Sequence, residues 1–165
     1  MAKNQENNYS GLRSKRYKLK RPKILITGSE GFIGSAITRE LLKRKLDIYG
    51  IGIKERNITK YKYFNLDLFS SKKINHFFNK YSFDTIIHTA WVTDPNTMRN
   101  SKLNFKWLEI SKKILNLHIK NNGLNFYCVG TSDEYNRIIN KSNICIEYKL
   151  KIKDLNSYAK NKIFL

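Results

Sequence analysis

KILITGSEGFIG, Lys23 to Gly34, is the stretch whose reading decides the fold. It reads as a short buried strand (Ile24, Leu25, Ile26), a glycine turn (Gly28, Gly31), and the first turn of a helix carrying Ile33, Ile37 and Leu41. A strand that enters a helix through closely spaced glycines leaves backbone N–H groups free at the helix N-terminus, where a phosphate can sit. A Cβ at those positions would hold the backbone away from a pyrophosphate or clash where helix meets strand. The spacing is Gly28-x-x-Gly31-x-x-Gly34 rather than G-x-G-x-x-G. A glycine turn alone is also an ordinary tight turn. Its place between an apolar strand and an amphipathic stretch is what points to dinucleotide binding.

Working outward, the same alternation continues. Asp47 to Ile51 reads as a second strand, Tyr61 to Asn65 as a third, Thr85 to Thr89 as a fourth and Asn125 to Val129 as a fifth. Ile74, Phe77 and Phe78 mark a helix reaching about Lys80. Leu103, Trp107, Ile110, Ile114 and Leu117 recur at helical spacing and predict a long amphipathic helix, which Gly123 is placed to end. Strands alternating with helices at this interval predict an α/β fold, a Rossmann-type parallel sheet of about five strands with helices on both faces. Ligands of such sheets bind beyond the carboxyl ends of the strands, where strand order reverses. The segments leaving strands one, four and five are GSEGFIG, AWVTDPN and GTSDEYN, all rich in small or polar residues.

Composition sets the bounds. A chain of 165 residues with 13% aromatics fits one domain and can bury a core. No apolar run suffices to span a bilayer, and the N-terminus lacks a signal peptide's apolar core, so the expected compartment is the cytoplasm. Cys128 and Cys145 show no metal-ligand spacing; Cys128, within FYCV, is expected to be a small buried hydrophobe, and no metal is expected. The formal charge of +19 suggests nucleic acid. The lysines, however, are scattered and accompanied by Asn and Ile, as in an A- and T-rich coding sequence. Specific nucleic-acid binding is not expected, only salt-sensitive sticking to polyanions. Residues 1–21 read as a basic, disordered tail, and 22–165 as the dinucleotide-binding domain.

The last segment supplies Ser157-Tyr158-Ala159-Lys160-Asn161-Lys162. Tyr158 and Lys162 share one face of a helix. A nearby ammonium favours phenolate and lowers a tyrosine pKa, and such a tyrosine can exchange a proton with a hydroxyl or carbonyl as hydride moves. Tyr and Lys four apart are also common on a solvated helix. The ordered combination carries more: TGSEGFIG, Asp67 in LDL, HTA at Thr89 and Ala90, Thr131-Ser132, then YxxxK.

This combination resembles the extended short-chain dehydrogenase/reductase family, the NAD-dependent epimerase/dehydratase group acting on nucleotide-linked sugars, from Lys23 to Leu165. The resemblance implies that Gly28, Gly31 and Gly34, with Phe32 and Ile33 between them, hold the cofactor pyrophosphate. Asp67 and Leu68 would contact the adenine end, and Thr89 and Ala90 would line the cofactor. Ser132 would be the catalytic hydroxyl, Tyr158 the acid/base, and Lys162 the residue that holds the nicotinamide ribose and tunes Tyr158. Asp133 and Glu134 stand where sugar 4,6-dehydratases of the family carry an acid/base pair, although the continuation EYN departs from their pattern. HTAWVTDP, WLEISKKIL and GTSDEY look more like epimerase/reductase members from surface-polysaccharide pathways.

The acid that grips the ribose 2′-hydroxyl is expected at the end of strand two. In GIGIKERN that place falls to Gly52, with Lys54 and Arg56 beyond, which favours NADP over NAD; Glu55 would restore NAD if the register slips. Family members continue past the position of Leu165 with further strands and a sugar-binding region. The chain is therefore expected to be a truncated or split member, with the Tyr158 helix barely begun and strand five an exposed edge. Three functions stay open: the cofactor-binding half of a nucleotide-sugar epimerase, reductase or dehydratase; a non-catalytic dinucleotide-binding module, completed by another chain or a second copy packed on the long helix; and a basic polyanion-binding protein.

Overall fold

Five parallel strands lie in the order β3-β2-β1-β4-β5. They belong to a computed structural model that describes residues 21–134 and 155–165. The basic tail up to Lys20, Tyr135 and Cys145 lie outside the described residues. In chain order the elements are β1 (Lys23–Thr27), α1 (Phe32–Lys43), β2 (Asp47–Gly52), β3 (Lys62–Asn65), α2 (Ser71–Lys80), β4 (Thr85–His88), α3 (Leu103–Lys120), β5 (Asn125–Cys128) and α4 (Ser157–Ile163). The expected parallel α/β sheet is the observed one. Among the described residues no helix is long and apolar enough to cross a membrane.

Alternation along β1 decides what covers each face. Ile24 and Ile26 join Ile48 on one side, where Ile37, Leu41 and Leu42 of α1 pack over them. Leu25 points the other way, into a larger cluster with Tyr49, Ile51, Ile86, Ile114 and the aromatics Phe77, Phe78 and Phe83 of α2 and its exit loop. A central strand buried on both faces must be apolar throughout, which is why KILIT shows no polar alternation. Each such fully buried side chain contributes on the order of 1.5–3 kcal/mol.

Of the apolar stripe on α3, Ile114 is fully buried and Trp107, Ile110 and Leu117 pack half-buried against the core, while Leu103 is exposed. The buried line of the helix also includes Asn104, Leu108, Ser111 and His118. Each buried polar residue on that line has a fixed partner. Asn104 accepts from Trp91 Nε1 at 2.9 Å and donates to the Met98 carbonyl at 2.6 Å. His118 Nε2 reaches the Asn125 carbonyl at 3.0 Å. The helix ends at Lys120; the left-handed residue beyond it is Asn122 (φ 58°), while Gly123 is required because a Cβ there would overlap the His118 ring at 2.0 Å.

Two further expectations are corrected. Cys128 is exposed, because β5 has a strand neighbour on one side only among the described residues. The Tyr158 segment is more than a nascent turn: α4 runs seven residues, Asn156 caps it by accepting from Ala159 N at 2.9 Å, and Ala159 is wholly buried. Tertiary burial supplies what so short a helix lacks by itself.

Candidate dinucleotide site

Strand order reverses at β1, so the crevice lies beyond the carboxyl ends of β1 and β4. Its floor is a run of hydroxyl bonds. Thr89 Oγ1 donates to the Thr27 carbonyl at 2.7 Å. Thr27 Oγ1 lies 2.7 Å from His88 Nδ1, and His88 Nε2 lies 2.7 Å from Ser111 Oγ, which itself donates to the Trp107 carbonyl. Since the Ser111 proton is used, His88 carries its proton on Nε2 and Thr27 donates to Nδ1. Burial, with a smaller push from Lys162, lowers the His88 pKa to about 3, so the ring is neutral. This neutral chain ties β1, β4 and α3 into one rigid base.

Above the floor the three glycines have different jobs. Gly28 is left-handed (φ +68°), and a Cβ on it would press the Ala90 backbone at 3.0 Å. Gly34 is stricter: its Cβ would lie 2.1 Å from the Gly28 carbonyl oxygen, so only glycine lets α1 approach the turn. Gly31 meets only that same oxygen, at 3.2 Å, and is otherwise open toward the crevice. It is the N-cap of α1, with no side-chain cap and no acid in the first turn. The first-turn N–H groups lack intrahelical acceptors and the helix dipole is uncompensated, a combination that suits an anion. Phe32, 96% exposed, and Ile33 stand beside it.

Two cavities meet here. One, of about 180 Å³, is lined by Ile51, Gly52, Ile53, Leu66, Asp67, Leu68, Phe69 and Trp107. It is mostly apolar, and Asp67 is held at its edge by accepting from Phe69 N at 2.9 Å. The other, of about 350 Å³, runs along Gly31, Phe32, Ile33, Gly34, Thr89 and Thr93. Gly28, Ala90 and Trp91 line both. An apolar slot, a turn of free N–H groups and a second chamber in series fit an adenine, a diphosphate and a second ribose with its base.

Trp91 joins these cavities to the last helix. Lys162 Nζ sits 4.0 Å from the centroid of its ring, and the Tyr158 ring meets it edge-on at 6.4 Å. Sequence reasoning did not single out Trp91; its position directly after HTA was the available signal. The structure thus brings Tyr158 and Lys162 to one face, but does not join them. Lys162 Nζ donates to the Val129 carbonyl at 2.7 Å, and burial lowers its pKa. Burial raises the Tyr158 pKa above its usual 10, with Asp133 and Glu134 adding to the rise. The expected ammonium-stabilised phenolate is absent from this arrangement.

The hydroxyl engaging Tyr158 belongs to Thr131, the neighbour of the expected Ser132. Ser132, Asp133 and Glu134 form a short 3-10 turn. Glu134 accepts from Thr131 N at 2.7 Å, and Asp133 accepts from Arg99 Nε and from Asn156 Nδ2, both at 3.1 Å. Asp133 thus ties the β5 exit loop to the cap residue of α4, and Glu134 closes that loop on itself. On the β2 side, Lys54 is exposed and its carbonyl accepts from Tyr63, whereas Arg56 pairs with Glu30 at 3.6 Å. Among the described residues no cluster suited to a metal ion is found.

Comparison with known proteins bears on the fold and the family. The NAD dependent epimerase/dehydratase family model matches residues 24–165. The dTDP-glucose 4,6-dehydratase of Salmonella typhimurium is 28% identical over 138 residues, covering 68% of this chain and 38% of that enzyme. The UDP-Glc/GlcNAc 4-epimerase from Campylobacter jejuni has the same fold, with a TM-score of 0.65 at 20% identity over 87% of this chain and 46% of its own. WbmH of Bordetella bronchiseptica, solved in complex with NAD+, gives 0.66 at 23% identity over 87% and 51%. The chain therefore spans about half the length of these solved structures, and less of the dehydratase. By sequence, by the order of its strands and by its glycine turn, it belongs to the NAD dependent epimerase/dehydratase family.

Proposed function

We propose that this chain is the cofactor-binding portion of an NAD(P)-dependent enzyme that acts on a nucleotide-sugar as an epimerase, reductase or dehydratase. The observation that carries the reading is the meeting of the two cavities at Gly28, Ala90 and Trp91, with Tyr158 and Lys162 against the same indole. Adenine would occupy the slot between Leu68 and Trp107, with Asp67 at its edge. The diphosphate would lie on Gly31 and the first turn of α1, and Phe32 and Ile33 would close over it. When bound, the nicotinamide would accept or return a hydride at a sugar carbon.

The chain's own residues would manage the proton. Tyr158 is a phenol at neutral pH, so the free chain is set to donate a proton to a sugar oxygen, with the Thr131 hydroxyl beside it. Acting as base requires Lys162 to leave the Val129 carbonyl and turn toward Tyr158 and the ribose. Used as a dehydratase acid/base, Glu134 would act through Oε2, since its Oε1 accepts from the Thr131 N–H.

A second reading, a dinucleotide-binding module without turnover, is favoured by the same Lys162–Val129 bond, which leaves Tyr158 without its ammonium. Isothermal titration of the full chain with NAD and NADP at millimolar concentration tests both, and absence of heat with either cofactor removes both. Cofactor binding without reduction or oxidation by any UDP- or dTDP-sugar selects the second.

A further inference from the structure

The glycine turn carries two side chains, Ser29 and Glu30, and they point to a question that the end of β2 leaves open. A carboxylate that reads the adenosine ribose is ordinarily the last residue of that strand. Here the position is Gly52, which has no carboxylate to offer, and the hydroxyl of Tyr63 lies where a side chain there would begin, 2.4 Å from an ideal Cβ. A carboxylate nevertheless reaches this place from the opposite bank. Glu30 extends from the turn toward the segment after β2, where its Oε2 lies 3.6 Å from Arg56 Nε. Its Oε1 accepts from the Tyr61 hydroxyl, which also lies 3.4 Å from Ser29 Oγ. Ser29 is fully buried, and a Cβ on Gly50 would strike both it and Tyr61 at 2.5 Å, so the Tyr61 ring has little room to move.

With adenine in the slot bounded by Gly52 and Ile53, and the diphosphate on Gly31, the intervening ribose passes between Gly52 and the Ser29–Glu30 edge of the turn. We propose that Glu30 selects the cofactor: its carboxylate, aimed by Tyr61 and shared with Arg56, accepts the 2′-hydroxyl of NAD and repels the 2′-phosphate of NADP. The inference rests on the dinucleotide reading given above and goes beyond it in naming the discriminating residue. It reverses the preference that Lys54 and Arg56 suggest by themselves. Arg56 is already spent on Glu30, and a phosphate brought to it would sit beside that carboxylate. Tyr61 stays a donor throughout, since burial and Glu30 push its pKa up to about 12.

The test is calorimetric titration of the full chain with NAD and with NADP, in the wild type, in Glu30→Gln and Glu30→Ser, and in Glu30→Gln combined with Arg56→Met. The wild type is expected to bind NAD about tenfold more tightly than NADP, as befits one charged hydrogen bond gained or one like-charge contact suffered. Either single variant should move the ratio about tenfold toward NADP, and adding Arg56→Met should cancel most of that gain. A wild type that prefers NADP overturns the proposal without any variant. So does a ratio unchanged in the Glu30 variants while both cofactors still bind, and that outcome leaves the dinucleotide reading standing. Binding of neither cofactor by the wild type overturns both.

Discussion

Lys162 Nζ rests 4.0 Å from the centre of the Trp91 ring and donates at 2.7 Å to the carbonyl of Val129, the residue that follows β5. One buried ammonium thus joins the end of β4, the end of β5 and α4. Its desolvation is met by a π face and a carbonyl rather than by a carboxylate, an arrangement strong enough to hold a short helix yet open to exchange for a ligand.

Trp91 is accordingly the keystone of the last segment. Trp91→Ala should cost about 3–5 kcal/mol in a urea unfolding titration, as for large buried aromatics generally. Trp91→Phe keeps a ring under Lys162 but loses the Nε1 bond to Asn104, and should cost about 1–2 kcal/mol through the unmet Asn104 oxygen.

The three glycines should separate into folding and binding roles. Gly34→Ala places a methyl 2.1 Å from the Gly28 oxygen and should destabilise by roughly 3 kcal/mol or more. Gly31→Ala meets the same oxygen at 3.2 Å and should change stability by less than about 1 kcal/mol. It should nonetheless weaken NAD binding at least tenfold in the calorimeter, because the methyl occupies the open side of the turn.

Acid should destabilise the fold through His88. Its folded pKa, about 3, lies below the 6.5 of an unfolded histidine, so the unfolded chain takes up the extra proton as pH falls through that window. The stability that neutral His88 provides is complete above pH 6.5 and is lost progressively as pH falls toward the folded value of about 3. Burial of His118 acts in the same direction. Melting curves between pH 7 and 4 should show a steeper loss in wild type than in His88→Gln; parallel losses would contradict the assignment.

Tyr158 should titrate as an ordinary buried phenol in the free chain. The difference in ultraviolet absorbance between wild type and Tyr158→Phe should appear only above pH 10, the direction set by burial. An ionisation below pH 9 would show instead that Lys162 reaches it.

Much of this was legible in the sequence because the relevant physics is local. KILIT can only be a strand buried on both sides, and a turn that must let α1 approach needs glycine at positions 28 and 34. The misreadings arise where distant partners decide. The apolar stripe of α3 is silent on Asn104, Ser111 and His118, whose burial depends on the hydrogen bonds that Trp91, His88 and Asn125 supply. Cys128 looks buried in FYCV, and only strand order reveals that β5 lies at the edge of the sheet among the described residues. Lys54 and Arg56 stand in the sequence as two cations, and that one of them pairs with Glu30, distant in sequence, is seen only in the fold. The Tyr158–Lys162 spacing guarantees a shared face but not a shared proton, since the Val129 carbonyl competes for the ammonium.

The most direct measurement is a crystal structure of the chain grown with NAD. The adenine is expected between Leu68 and Trp107, the diphosphate within hydrogen-bonding distance of the Gly31–Ile33 amides, and the nicotinamide end beside Trp91 and Tyr158. A dinucleotide bound instead in the cationic cleft of Lys72, Lys73, His76 and Lys80, with the glycine turn empty, would contradict it.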